Sequence, residues 1–161
     1  MRTNKEAIMT ARIKHVLTVV ATVCTIFGLS TAYAADEPEN IIKYRQNLMK
    51  GIGAHITNIA AVVKGQVTIT DNLMTDAHGV ANGLANVDKL FPVGTESGKT
   101  NALAAIWEDR AGFNKALSDA QAAAKNMLDV VASNDIAVIG KALGALGKSC
   151  GGCHKPYRKK M

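Results

Sequence analysis

The sequence predicts an all-α fold, an antiparallel up-down-up-down four-helix bundle. Three observations predict it. Four segments place apolar residues at alternating steps of three and four, a spacing that lines one face of a helix. No segment alternates with period two for long enough to make a strand. The breaks between the four segments are short, and short connections favour antiparallel neighbours.

The first 34 residues read as a leader, not as part of that bundle. Arg2, Lys5, Arg12 and Lys14 stand against Glu6 alone. An apolar run follows over residues 16–29, and then the small-x-small site Ala32-Tyr33-Ala34. Basic, apolar and small, in that order, is the pattern of a cleaved secretory signal. The run has 14 residues, short of the roughly 20 that span a bilayer. No membrane insertion is therefore expected after cleavage. Cys24 lies in the run and takes no role. Residues 35–161 form the expected single domain. The leader takes four of the 19 basic residues and one of the 13 acidic ones, which leaves a formal charge of +3. There is no Lys/Arg stripe interleaved with aromatics, so nucleic acid is not an expected partner.

The first helix is predicted over residues 37–64, with Ile42, Arg45, Met49, Ile52, Ile56, Ile59 and Val63 on one stripe and Gly65 ending it. The second runs over 71–90, with Leu73, Ala77, Val80, Leu84, Val87 and Phe91 inward. Thr70 or Asp71 is its expected cap, and Pro92 ends it for want of an N–H. Residues 93–99 (VGTESGK) are the one long loop. The third helix is predicted over 101–131, starting at Thr100 or Asn101. Its stripe is Leu103, Ile106, Arg110, Phe113, Leu117, Ala120, Ala124, Met127 and Val131. The fourth runs over 134–158, with Ser133 as N-cap and Asp135 in the first turn. Its stripe is Ile136, Ile139, Leu143, Leu146, Cys150, Cys153 and Tyr157. Four such stripes bury one another at shallow, left-handed crossings. Gly140, Gly144, Gly147 and Gly151 form a second line beside the stripe. Each costs about 1 kcal/mol against alanine in a helix, so the line predicts close approach of something flat or of another backbone.

Chemistry concentrates at Cys150-Gly151-Gly152-Cys153-His154. This is C-x-x-C-H, the attachment sequence of a covalent haem c. Two thiols must add to two vinyl groups on one porphyrin edge, and residues three apart share a helix face. His154 is four from Cys150, so its imidazole falls near that face and can ligate the single iron. A disulfide between cysteines three apart closes too small a loop to stabilise much. A zinc site would need a second ligand pair, and a redox dithiol belongs with a βαβ pattern. Neither is present in the sequence.

The motif lies near the C-terminus and is followed by Tyr157-Arg158. On the last helix of a four-helix bundle it resembles class II cytochromes c, the family of cytochrome c prime and its low-spin, methionine-ligated relatives. Class I proteins carry the motif near the start of the chain. The resemblance covers the whole mature chain. Residues 43–50 (KYRQNLMK) resemble the family's distal-side segment. Lys64-Gly65-Gln66 resembles the ending of that helix, and Ile106-Trp107 with Phe113 resembles the third-helix signature. The resemblance implies Met49 on the distal side of the haem, Arg45 near a propionate and Arg158 beside the proximal histidine. Within the family two copies commonly pair through the first two helices, so a homodimer is admitted.

The remaining candidates have plainer readings beside these. Methionine on an inward stripe is often simple core, although its sulfur can ligate haem iron. Arg158 can equally act as a C-terminal charge that favours the helix end. His55 is placed outward, about 240° from Met49, and His78 abuts the inward stripe of its helix. Trp107 and Phe113 are assigned to the core. Scattered lysines form a solvated face that can steer an acidic redox partner.

Two functions follow. The first is a periplasmic electron carrier with His154 and Met49 as axial ligands, serving periplasmic redox partner proteins. The second is a five-coordinate, high-spin protein in which Met49 only crowds the distal face and NO or CO binds. No enzyme is expected: peroxidase-like turnover needs an acid–base group, and the stripe around Met49 is apolar. The electron-carrier reading predicts a low-spin ferrous absorption spectrum that Met49→Ala turns high-spin; a high-spin wild type removes it.

Overall fold

The computed structural model describes residues 36–160; the leader and its cleavage site lie outside the described residues. Five α-helices are present among the described residues: α1 Pro38–Val63, α2 Leu73–Leu84, α3 Ala105–Glu108, α4 Arg110–Val131 and α5 Ile136–Tyr157. The four long ones form the predicted bundle. The short α3 and a 3-10 turn at Val87–Leu90 lie in the connection between α2 and α4.

The helix ends follow local chemistry. Pro38 sits at the start of α1, where its missing N–H costs nothing. Gly65 ends α1 at φ 67°, with Gly65 N donating to Val62 O (2.9 Å) and Gln66 N to Ala61 O (2.9 Å). This pair of bonds closes the exposed carbonyls in a Schellman pattern. The start of α2 departs from expectation. It begins after Asn72, with no side-chain cap, so neither Thr70 nor Asp71 serves. At α5 the cap is Asp135, not Ser133: Asp135 Oδ1 accepts from Ala137 N (2.9 Å) and Val138 N (3.2 Å). Ser133 instead accepts from Asp135 N and donates to Val130 O, supporting the turn at Asn134 (φ 54°).

The largest departure is in the predicted third helix. It does not run unbroken from residue 101. Asp109 leaves helical geometry (φ −120°, ψ 65°) and caps α4, its Oδ1 accepting from Gly112 N at 3.0 Å. Its other oxygen accepts from the Tyr157 hydroxyl at 3.0 Å. Upstream, residues 101–103 pair with the chain end instead of coiling. Lys159 N donates to Asn101 O (2.8 Å) and Leu103 N to Tyr157 O (3.1 Å), around an antiparallel bridge of Ala102 and Arg158. An apolar stripe records which residues face inward. It does not record that tertiary hydrogen bonds have claimed the backbone.

Most of each stripe packs as predicted, but Ile136, placed inward at the start of the fourth helix, is exposed. Ile42, Ile52 and Ile59 of α1, Ala77 and Val80 of α2, Phe113, Leu117, Ala124 and Met127 of α4, and Ile139 and Leu146 of α5 are all buried. α1 packs on α2, α2 on α4, α4 on α5, and α5 closes on α1. Between α1 and α2 the approach is close because Gly79 and Gly83 lie one turn apart on the contact face. A Cβ at Gly83 would stand 2.6 Å from Ile52 Cγ1, and one at Gly79 would strike the His55 ring. His55 is therefore not an outward residue. Its ring lies against Gly79, with Nδ1 2.8 Å from Asp76 Oδ1, and Asn58 Nδ2 donates to the same oxygen (3.1 Å). His78, placed against the core by its spacing, is exposed. On α5 only Gly140 meets a neighbour: a Cβ there would stand 3.2 Å from Val63 Cγ1, whereas at Gly144, Gly147 and Gly151 it would have nothing within 4 Å. Those three lie on the open flank of α5, not against a second backbone.

Packing at Gly79 yields a contrast with Gly53, which has nothing within 4 Å of its Cβ position. Gly79→Ala lowers stability by about 1–3 kcal/mol, because overpacking exceeds the gain in helix propensity. Gly53→Ala raises it by about 0.5–1 kcal/mol. Urea unfolding midpoints measure both.

Candidate functional site

The bundle is closed at one end, where Val63 meets Gly140, and open at the other. The open end holds a cavity of about 400 Å³, within the usual range for small-molecule and cofactor sites. Met49 and Arg45 of α1 line it, with Phe91, Ile106 and Phe113 giving apolar wall. Cys153, His154 and Tyr157 of α5, together with Arg158, line it from the last helix. Thus four of the six sequence candidates, Arg45, Met49, Cys153 and His154, share one cavity as helical residues. Arg158 shares it from beyond the helix, and Cys150 packs half-buried against the adjoining core.

The α5 residues are presented by helix spacing. Cys150 and Cys153 are both half-buried free thiols one turn apart. Burial raises the proton affinity of both; Ser149 partly offsets this at Cys150, and Cys150 adds to it at Cys153. Burial lowers the proton affinity of His154, and the positive charge of Arg158 lowers it further. The imidazole is thereby biased toward the neutral form, the form that ligates a metal.

Arg158 is not on the His154 face of α5 as a helical residue. The helix stops at Tyr157, and Arg158 is extended (φ −133°, ψ 137°) in the bridge to Ala102. It still borders the cavity and acts on His154 through space. Arg45 is buried, at 3% exposure, yet its terminal nitrogens face the connecting segment. Nη1 donates to Leu90 O (3.2 Å) and Thr95 Oγ1 (2.9 Å); Nη2 donates to Thr95 O (2.9 Å) and Thr100 Oγ1 (2.7 Å). Its guanidinium carbon lies 4.6 Å from the Phe91 ring centre. A buried charge needs such partners.

An edge-to-face series of rings backs the cavity. Trp107 meets Phe91 (5.8 Å between centroids), Phe91 meets Phe113 (5.1 Å), and Phe113 meets Tyr157 (5.4 Å). Trp107 is anchored by its indole N–H to Phe91 O at 3.1 Å. Such pairs fix ring orientation as well as burying area. Sequence reasoning did not single out Thr95 or Asp109, and it named Thr100 only as a possible helix start, not as an acceptor for Arg45. Only Asp109 left a local signal, an Asp three residues before Gly112 at a capping distance, and the continuous apolar stripe obscured it.

These residues fit a haem. Two thiols stand one turn apart beside an apolar cavity, an imidazole follows at the next position, and Arg45, Lys50 and Arg158 supply positive charge at its border. No Asp or Glu lines the cavity among the described residues.

Comparison with known proteins agrees. A family model described as Cytochrome C' matches residues 40–158. A cytochrome c' of Pararhodospirillum photometricum is 33% identical over 123 residues, covering 76% of this chain and 98% of that protein. The crystal structure of cytochrome c' from Rubrivivax gelatinosus superposes with a TM-score of 0.73 at 28% identity, over 78% of this chain and all of that one. A nitric oxide complex of a leucine-to-alanine mutant of cytochrome c prime from Alcaligenes xylosoxidans superposes with a TM-score of 0.73 at 29% identity, over 80% of this chain and all of that one. The chain therefore belongs to the cytochrome c' family, the class II cytochromes c, and carries one covalently bound haem c.

Proposed function

We propose that the chain is an exported, periplasmic cytochrome that binds NO or CO, with its haem held through Cys150 and Cys153 and with His154 as the proximal ligand. The observation that carries this reading is the apolar wall that Phe91, Ile106 and Phe113 give to the cavity beside His154. When bound, the haem would supply an iron able to take up a small diatomic ligand and to exchange one electron. The chain does the rest. The His154 imidazole, its proton affinity lowered by burial and by Arg158, offers a nitrogen, and Met49 narrows the distal side so that only small ligands are accommodated. Phe91, Ile106 and Phe113 keep the cavity apolar, which suits uncharged diatomic molecules. The NO complex of a leucine-to-alanine mutant and the CO-bound leucine-to-glycine variant of the Alcaligenes xylosoxidans protein support the choice of ligand. Export rests on the leader pattern of residues 1–34. Among the described residues no helix is long and apolar enough to cross a membrane.

A second reading, electron transfer with Met49 as sixth ligand, is favoured by one observation: Met49 lies on the inward stripe of α1 and borders the same cavity as His154. Exchange of electrons with periplasmic redox partner proteins fits both readings.

Reduced protein titrated with CO separates them. The gas-binding reading expects a high-spin ferrous spectrum that shifts on CO addition. It also expects Met49→Ala to raise the CO association rate about tenfold, because steric access governs the distal side. A low-spin ferrous spectrum unresponsive to CO overturns it in favour of methionine ligation.

A further inference from the structure

We propose that Arg45 is a positioning residue: by latching the segment that walls the haem cavity onto α1, it sets the width of the path by which a small ligand enters. This rests on the gas-binding reading above.

The argument starts from the segment between Phe91 and Leu103. Phe91, Thr100, Asn101 and Ala102 within it line the cavity. Its far end is pinned to the end of α5 by the bonds of Asn101 and Leu103 with Lys159 and Tyr157. Its near part contains Gly94 (φ 94°) and Gly98 (φ 101°), both in the region that glycine adopts without strain. Val93, just before them, is 90% exposed. Such a stretch has little apolar burial of its own and belongs to the low-stability part of a fold.

Between the two glycines, Thr95 is fully buried (0% exposed). It accepts from Arg45 at both its hydroxyl and its carbonyl, and its hydroxyl donates to Pro92 O (2.9 Å). Arg45 also reaches Thr100, whose hydroxyl in turn accepts from Ala102 N (3.0 Å). The only other side-chain tie to α1 among the described residues is Gln46 Nε2 to Lys99 O (2.7 Å), from an exposed position. No carboxylate lies within salt-bridge range of Arg45 among the described residues. Among the described residues the two terminal nitrogens of the fork thus meet neutral acceptors on the segment, an arrangement that lysine cannot reproduce. Arg45 stands one turn before Met49 on α1. The latch thus fixes the wall relative to the helix that carries the distal side chain.

The test uses the holoprotein, with two readouts: the CO association rate of the ferrous form after flash photolysis, and amide hydrogen exchange of residues 93–100. Thr95→Val removes the hydroxyl acceptor and nearly keeps the shape. It is expected to speed exchange in that segment by about tenfold and CO association by about fivefold, leaving exchange in α4 unchanged. Thr95→Ser, which keeps the hydroxyl, is expected to restore wild-type values. Arg45→Lys is the second variant if Thr95→Val does not fold, with the same expected direction. Faster exchange with an unchanged CO rate overturns the proposal and leaves Arg45 a structural residue. A faster CO rate without faster exchange also overturns it. A wild type that takes up no CO instead refutes the gas-binding reading on which the proposal stands.

Discussion

The haem end of this bundle depends on one constraint: the helices must be kept from zipping together along their full stripes. At the other end α5 meets α1 directly, Gly140 against Val63. At the haem end the chain between α2 and α4 enters the gap, and polar bonds hold it there. Arg45 grips it from α1. The Tyr157–Asp109 bond and the pairing of residues 101–103 with the chain end grip it from α5. Apolar burial is non-directional and would favour closure. Hydrogen bonds carry direction, so they can hold a wall at a defined place.

The same bonds explain why a charge is tolerated in the core. An isolated guanidinium in apolar surroundings is costly. Here four acceptor contacts and an aromatic face meet it, and no buried side-chain polar atom among the described residues lacks a partner. Desolvation still lowers the proton affinity of Arg45, partly offset by Glu96. The charge nevertheless persists, because arginine remains protonated in proteins. Its place in the cavity wall adds to Lys50 and Arg158, so the site has a cationic border and an apolar interior. That combination suits a cofactor with an apolar ring and acidic edge groups, and burial, joined by the nearby charge of Arg158, lowers the proton affinity of His154.

Much of this was legible in the sequence. The bundle follows from stripe periodicity, and most stripe residues are buried or half-buried in the structure, with Ile136 an exposed exception. The C-x-x-C-H motif is local. Three residues within one turn and a half share a face whatever the rest of the chain does, so the grouping of the two thiols and the imidazole is readable from spacing alone. The Gly65 stop is also local, because φ above zero favours glycine there. Local reasoning fails where a distant partner takes over a local role. The angle from Met49 turns His55 outward, but Asp76 and the gap at Gly79 draw it toward α2. The apolar stripe makes the third helix continuous, but residues 101–103 and Asp109 are bound to the end of α5.

What the sequence by itself determined, then, is the helical class, most of the inward faces and the grouping of two thiols and an imidazole on the last helix, because each depends on residues a few positions apart. Only the tertiary structure decided where Arg45 directs its donors, where the third helix breaks, and that Met49 and His154 border one cavity. Those outcomes join residues some 50 to 105 positions apart, and no periodicity along one chain encodes which backbone atom will meet which side chain once the helices have closed.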